Sequence, residues 1–370
     1  MDMLMDSRRY LWRSISKKKS HRTIRCEPSR ADAILKGMSR DFNKAYEHTG
    51  RVGIPPESLI KALLLRALFA IPSECRLCEA CSFNILYRWF IDWPIDKPMW
   101  TPEAFSMNRD RFEMHNLVGK FFERVVSEGI ADGLIDDDRF SVDGTLIRSL
   151  AGHKSIEPVK HDENDDGDRS DDDDRNGWSS FKGQKRSNKT HRSEVDPEAR
   201  LASKGGAAHL SRALHVMTDA RTGLCVSVAV DTADGRSERR NALMMLDRVR
   251  ARHRLVPKRL AADAGYASGA YLSQVEARGI TPHSAMPRMK IKGQSASHHA
   301  RKRMRRRTKT SSYRESQKLR KLIEPVIGWC KHVGGLSRTR FIGHKRIHDD
   351  AMLVASAWNL LRITTLAGSS

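Results

Sequence analysis

Two short apolar runs, each closing on an aspartate and then a glycine turn, restrict this chain more than any other feature. In the first, Arg139-Phe-Ser-Val-Asp143-Gly144, Phe140 and Val142 alternate with Ser141 and Asp143, and the run stops at Gly144. That is the pattern of a short strand whose last side chain is a carboxylate at the sheet edge. The second, Lys258-Arg-Leu-Ala-Ala-Asp263-Ala-Gly265-Tyr266, repeats the design. A half-buried charge is costly unless paired or metal-bound, and strand ends beside glycine turns are where α/β sheets put reacting groups. Two such ends in one sheet would face each other across a cation. Asp-Gly is also common in ordinary turns, so neither run is decisive alone.

The segments around these runs fix the fold class. Ala213 to Met217 and Leu224 to Val230 read as strands joined by the turn Thr218 to Gly223, hence a hairpin. Ser237 to Arg252 is an amphipathic helix with Leu243, Leu246 and Val249 on one side, and a further helix is expected from Ala270 to Ala277. Strand with Asp, hairpin, helix, strand with Asp is the order of a mixed α/β sheet, not of a simple alternating parallel one. Upstream the chain is helical. Pro55 and Pro56 open an apolar stripe over Glu57 to Phe69, Ser73 caps a second helix through Cys81, and Asn84 to Ile91 makes a third segment. Thr101-Pro102-Glu103 starts another, and Asn116 to Glu128 gives the last, ending at Gly129. Short helices with tight breaks suit a helix-turn-helix module or a plain bundle docked on the sheet. The organisation expected is a basic arm over 1–50, an all-α N-terminal domain over 51–131 and a catalytic α/β domain over 132–370.

Charge points to the partner. The 67 Lys and Arg outnumber 45 Asp and Glu, a net charge of +22, and nucleic acid is the commonest polyanion for such a protein. No apolar span, secretory signal or lipidation motif stands out, so no membrane role and a cytoplasmic, nucleoid-associated location are expected. The cysteines are too sparse for a disulfide scaffold. Cys75, Cys78 and Cys81 lie at helical spacing with no fourth ligand nearby, which reads as small buried hydrophobes.

An insertion at about 155–208 interrupts the sheet pattern. Nine of the fifteen residues from His161 to Arg175 are acidic, and such a run repels itself and is expected to be disordered. The sign then reverses through Lys182, Lys185, Arg186, Lys189, His191 and Arg192, with Trp178 and Phe181 interleaved. At about 287–310, ten cations, Arg305, Arg306 and Arg307 among them, read as a flexible polycationic loop for DNA phosphates.

A third acid follows that loop. On a helix, Arg320, Glu324 and Lys331 fall within a narrow sector. Pro325 disfavours helix at Glu324, so the helix must kink there or begin nearby.

The set Asp143-Gly-Thr, Asp263-Ala-Gly-Tyr and Arg320-x-x-x-Glu324, with Lys331 after six further residues, resembles the DDE transposases of the insertion sequence five family. His21-Arg-Thr-Ile-Arg, Pro55-Pro-Glu-x-Leu-x-x-Ala-Leu-Leu-Leu, Asn84-x-x-x-Arg-Trp-Phe, Lys185-Arg-Ser-Asn-Lys-Thr-His and Asp196-Pro-Glu-Ala-Arg-Leu extend the resemblance over nearly the whole chain. The resemblance implies a ribonuclease H-like mixed-sheet catalytic domain preceded by an all-α, DNA-binding N-terminal domain. It implies Asp143, Asp263 and Glu324 as catalytic metal ligands for two Mg²⁺ ions, with Mn²⁺ able to substitute. Such ions, about 4 Å apart, activate a nucleophile and stabilise the leaving oxygen of a phosphodiester. Arg320 and Lys331 would grip phosphates beside the scissile bond, and Lys185, Arg186, Lys189 and His191 the flanking DNA. The implied partners are transposon terminal inverted repeats and target DNA, held by a homodimer or higher assembly. Alternatives are a relative that binds DNA without cutting and a metal nuclease without strand transfer. Two positions depart from the family pattern. Gln317 stands where a Tyr is usual, and Ala264 where a Lys is common in related enzymes.

Overall fold

The computed structural model of the chain describes residues 28–46, 53–159, 178–181, 184–287 and 295–367. Seven helices come first: α1 (Pro28–Gly37), α2 (Ser39–Ala45), α3 (Pro56–Leu68), α4 (Glu74–Phe83), α5 (Ile85–Phe90), α6 (Glu103–Met114) and α7 (Leu117–Ala131). Their starts follow local chemistry. Pro56 opens α3, the Ser73 side chain accepts from the Arg76 amide at α4, and the Asn84 side chain accepts from Leu86 and Tyr87 at α5. The first two helices correct the expectation of a basic arm to residue 50. Ile34, Leu35, Met38 and Phe42 are buried, a helical spacing that charge counting obscured. Residues 1–27 lie outside the described residues. Cys78 and Cys81 are buried in α4 and Cys75 is exposed, as small apolar side chains on a helix would be.

The sheet is built around β1 (Arg139–Arg148), with short strands β2 (Ile156–Pro158), β3 (Trp178–Phe181), β4 (Gln184–Arg186), β5 (His191–Ser193) and β6 (Arg200–Ala202) in the insertion. Then come β7 (His209–Asp219), β8 (Cys225–Thr232), α8 (Ser237–His253), β9 (Arg259–Ala262), α9 (Gly269–Ala277) and β10 (Thr281–Ser284). β7 runs antiparallel to β1, β8 and β6, so the expected hairpin is present. β9 pairs parallel with β1 on its other side, and β10 pairs parallel with β9. Three longer antiparallel strands (β1, β7 and β8) with the short β6 beside them, a helical crossover and two parallel strands make the six-stranded, ribonuclease H-like mixed sheet. β1 does not stop at Gly144. Its ladder with β7 continues to Arg148, because Leu146 and Ile147 after the glycine still have strand partners and a core to face.

Four helices close the chain: α10 (Ala296–Arg307), α11 (Ser311–Arg320), α12 (Ile323–His332) and α13 (His344–Ala367). The first corrects the expected polycationic loop over 296–307. Ala, Arg, Lys and Met are good helix formers. Ala300 and Met304, four residues apart, bury one face, and Glu276 of α9 accepts from Arg303 at 2.5 Å and Arg307 at 2.6 Å. Residues 288–294 lie outside the described residues, as does the acidic run 161–175. The described residues of the insertion correct the expected disorder, since β5 pairs with β2, β3 with β4 and β6 with β7.

The long helix α13 had no counterpart in the sequence reading. It packs on α7, β8 and α3, so helical region and sheet share one core. Arg66 of α3 forms an ion pair with Asp350 of α13 across that join. Among the described residues no helix is long and apolar enough to cross a membrane.

One buried polar feature ties the insertion to the sheet. Arg212 of β7 and Asp196 form an ion pair at 0% exposure of both side chains. Ser149 Oγ donates to the other Asp196 oxygen at 2.6 Å, and Arg212 also lies 2.9 Å from Glu198 Oε2. This pins the chain just before β6, and so sets where the following turn, Ser203 to Gly206, reaches.

Candidate active site

The β1–β9 register pairs Phe140 with Leu260 and Ser141 with Ala261. Two residues further on in this register, Asp143 lies within β1 and Asp263 just past the end of β9, at equivalent positions of neighbouring parallel strands. Both are half-buried. The Gly144 amide donates to Asp143 Oδ1 at 2.7 Å, and the Gly265 amide donates to Asp263 Oδ1 at 2.9 Å. Burial pushes the Asp143 carboxyl upward; Lys204 opposes this, Asp263 adds to it by repulsion, and Arg320 opposes it. Asp143, Asp263 and Arg320 are thus brought within one electrostatic neighbourhood, although 263 and 143 are far apart in sequence.

Arg320 ends α11 and α12 begins at Ile323, so the helix starts afresh beside Pro325 instead of kinking through it. Pro325 then sits in a first turn, where its missing amide costs nothing. Glu324 occupies the same turn and is exposed. Arg320, Glu324 and Lys331 therefore do not share one continuous helix face as expected, because two residues intervene between the helices. Lys331 Nζ still reaches β1, donating to Thr145 Oγ1 at 3.3 Å. Burial and the neighbouring Lys204 and Arg148 lower its pKa.

Gln317 has a clear task. Its Nε2 donates to the carbonyls of His283 and Ala262, at the ends of β10 and β9, and its Oε1 accepts from Arg320 Nε at 3.3 Å. The residue that departs from the family pattern therefore pins α11 to the sheet and orients Arg320. Tyr313, one turn earlier, stacks edge-on against His283 at 5.8 Å. Ala264 is exposed and offers no polar group.

Two residues of this neighbourhood escaped sequence reasoning. Lys204, in the turn after β6, donates to the Gly144 carbonyl at 2.7 Å. Glu238, in the first turn of α8, is half-buried, and its carboxyl is pushed up by burial, then by Asp263, with Lys204 opposing and Asp143 adding to the rise. Neither lies in an apolar run. The only signal was an acid in the first turn of a helix, which usually reflects the helix dipole.

The expected DNA-contacting cations are scattered. Lys185 and Arg186 are in β4, but their side chains lie outside the described residues. Lys189 is exposed on a turn, and His191 Nδ1 lies 2.8 Å from Thr190 Oγ1. On α10, Arg305 donates to the Pro287 carbonyl at 3.0 Å, Arg307 is held by Glu276, and Arg306 is exposed.

Asp143 and Asp263 suit a hard divalent cation. Both offer oxygen only, and they repel one another where a cation would relieve them. Among the described residues, no group of three or more His, Cys, Asp or Glu is gathered closely enough to hold a metal.

A family model described as a transposase DDE domain matches residues 137–360, and a second, described as Transposase domain (DUF772), matches residues 25–111. No curated protein matches the chain. A solved structure, the Mos1 transposase paired-end complex with left transposon end, aligns over 87% of this chain and 91% of its own at 10% identity. Its TM-score of 0.20 is below the level at which a shared fold follows.

Proposed function

Since the chain belongs to the DDE transposase domain family, we propose that it binds the terminal inverted repeats of an element of the insertion sequence five family, cleaves DNA there and joins the freed strand to target DNA. The observation that carries this reading is that Asp143 and Asp263 stand at equivalent register positions of adjacent parallel strands, beside three cations, Lys204, Arg320 and Lys331. Asp143 and Asp263 would hold the divalent cations, Mg²⁺ or Mn²⁺, with Glu324 joining them from the first turn of α12. Bound there, such cations supply an activated oxygen nucleophile and charge stabilisation for the leaving oxygen.

The chain's own residues do the positioning. Arg320, fixed by Gln317, presents a planar donor fork suited to a phosphate. Lys331 and Lys204 are held next to Asp143 by Thr145 and the Gly144 carbonyl. Their mutual repulsion would be relieved by the same phosphate. The net charge of +22 brings the polyanion in, and Arg306 and Lys189 add exposed cations further out.

Asp143→Asn should abolish nicking of inverted-repeat DNA and joining of pre-cut ends in Mg²⁺ or Mn²⁺, while gel-shift affinity stays within about threefold. Retained strand transfer would overturn the assignment. The exposure of Glu324 favours a second reading, a DNA-binding relative that does not cut, for which the wild-type protein would shift inverted-repeat DNA and leave it intact. A protein that nicks but never joins pre-cut ends would be a nuclease without strand transfer.

A further inference from the structure

We propose that Glu238 is a cation-holding carboxylate of this site, standing with Asp143 and Asp263; the inference rests on the functional reading above. Side chains alternate faces along a strand, so Asp143 and Gly144 look to opposite sides of β1. An acid arriving from α8 could reach the carboxylate edge only past a residue without a side chain, and Gly144 provides that opening. A Cβ at residue 144 would stand 3.2 Å from Glu238 Oε1, and one at Gly265 would stand 3.1 Å from both Glu238 Oε2 and Asp263 Oδ1. The two oxygens of Glu238 therefore lie against the two glycines that follow the two site aspartates, Gly144 in β1 and Gly265 in the turn after β9.

Independent observations show that this place is built for more than an ordinary helix start. His215, opposite Gly144 in the β1–β7 ladder, is 0% exposed, and among the described residues neither ring nitrogen has a partner. Its Nδ1 would stand 3.1 Å from the same missing Cβ of Gly144 that Glu238 Oε1 approaches. Tyr266, three residues past Asp263, is also 0% exposed with an unpartnered hydroxyl. Leaving a buried polar group unmatched costs roughly 1–3 kcal/mol, and His215 Nδ1 converges with Glu238 Oε1 on the same point beside Gly144. Glu238 itself makes no hydrogen bond or ion pair among the described residues, whereas its neighbour Arg240 is paired with Asp231 and Asp234. An acid serving only the helix end, or only the fold, would have such a partner. Asp143 and Asp263 both act on Glu238 by repulsion, and a divalent cation is the occupant that turns such repulsion into attraction.

The test uses the full chain with Mn²⁺ alone as probe, without DNA. Free Mn²⁺ is followed by electron paramagnetic resonance, and thermal midpoints are read with and without the ion. Glu238→Gln should weaken Mn²⁺ binding at least tenfold and shrink the Mn²⁺-induced rise in midpoint, while the metal-free midpoint stays level or rises because a repulsion is gone. Glu238→Asp, which keeps the charge but withdraws it by one methylene, should also lose affinity, and guards against a fold defect peculiar to Gln. Binding within twofold of wild type in both variants overturns the proposal. So does a lowered metal-free midpoint with Mn²⁺ affinity intact, the signature of a structural acid. Asp143→Asn separates the two readings. If it loses Mn²⁺ and the Glu238 variants do not, only this inference fails; if it too retains Mn²⁺, the metal-dependent function fails with it.

Discussion

Replacing Asp196 by Ala removes the one buried partner that Arg212 has among the described residues. Both side chains are fully enclosed, and Asp196 also accepts the Ser149 hydroxyl at 2.6 Å. Breaking a buried pair from one side leaves an uncompensated charge and costs roughly 3–5 kcal/mol. The lost Ser149 bond adds about 1 kcal/mol. Against this, Glu198 remains 2.9 Å from Arg212, but at 46% exposure it returns only a fraction. The net expectation is a loss of about 3–4 kcal/mol, read in urea as a midpoint lower by about 1 M or more. The double variant Asp196→Leu with Arg212→Met removes both charges and fills the space with apolar atoms, and should come within about 1 kcal/mol of wild type. A cost below about 1 kcal/mol for Asp196→Ala would refute the reasoning, as would a double variant no better than the single one. The Asp196 anchor also sets the turn carrying Lys204, so the single variant should weaken DNA binding before it unfolds.

Asp349 is half-buried near Glu113, and burial followed by repulsion from Glu113 pushes its carboxyl up to about 7. A folded-state pKa above the unfolded one gives stability that is complete below about pH 4 and is lost as pH rises through 7. Three units correspond to about 4 kcal/mol, which partial solvent screening reduces to roughly 2 kcal/mol. Asp349→Asn should therefore match wild type near pH 4 and exceed it in urea midpoint at pH 8; identical pH profiles would contradict this. At Gly269 a Cβ would fall onto the carbonyl oxygen and hydroxyl of Ser297, where α9 meets the start of α10. Gly269→Ala should cost about 1–3 kcal/mol and lower the thermal midpoint, and an unchanged midpoint would show that α10 can shift away freely.

What could be read from residues alone followed periodicity. Asp143 and Asp263 were legible because each ends an apolar run at a glycine, and the β7–β8 hairpin because its turn is punctuated. Other features were hidden by chemistry that overrides pattern. In α10 the charge count masked Ala300 and Met304, which supply its buried face. In α13 every residue from Ala351 to Ala357 is buried, so there is no apolar stripe against a polar one. Lys204 and Glu238 reach the site through a buried ion pair and across glycines, relations that join distant segments and leave no local trace. Glu324 shows the reverse failure: a motif names the residue, but the break after Arg320 decides where its side chain stands.

The placement of α13 has a consequence for how the molecule comes together. Residues 344–367 follow every strand in chain order, yet they fill the space between sheet and helices, with Ile347, Val354 and Ala357 fully enclosed. A growing chain that has not yet reached residue 344 exposes the oily surfaces of α3, α7 and β8 with nothing to cover them. Completion of both halves must then wait for the same late segment, which makes an early-terminated product sticky instead of partly active.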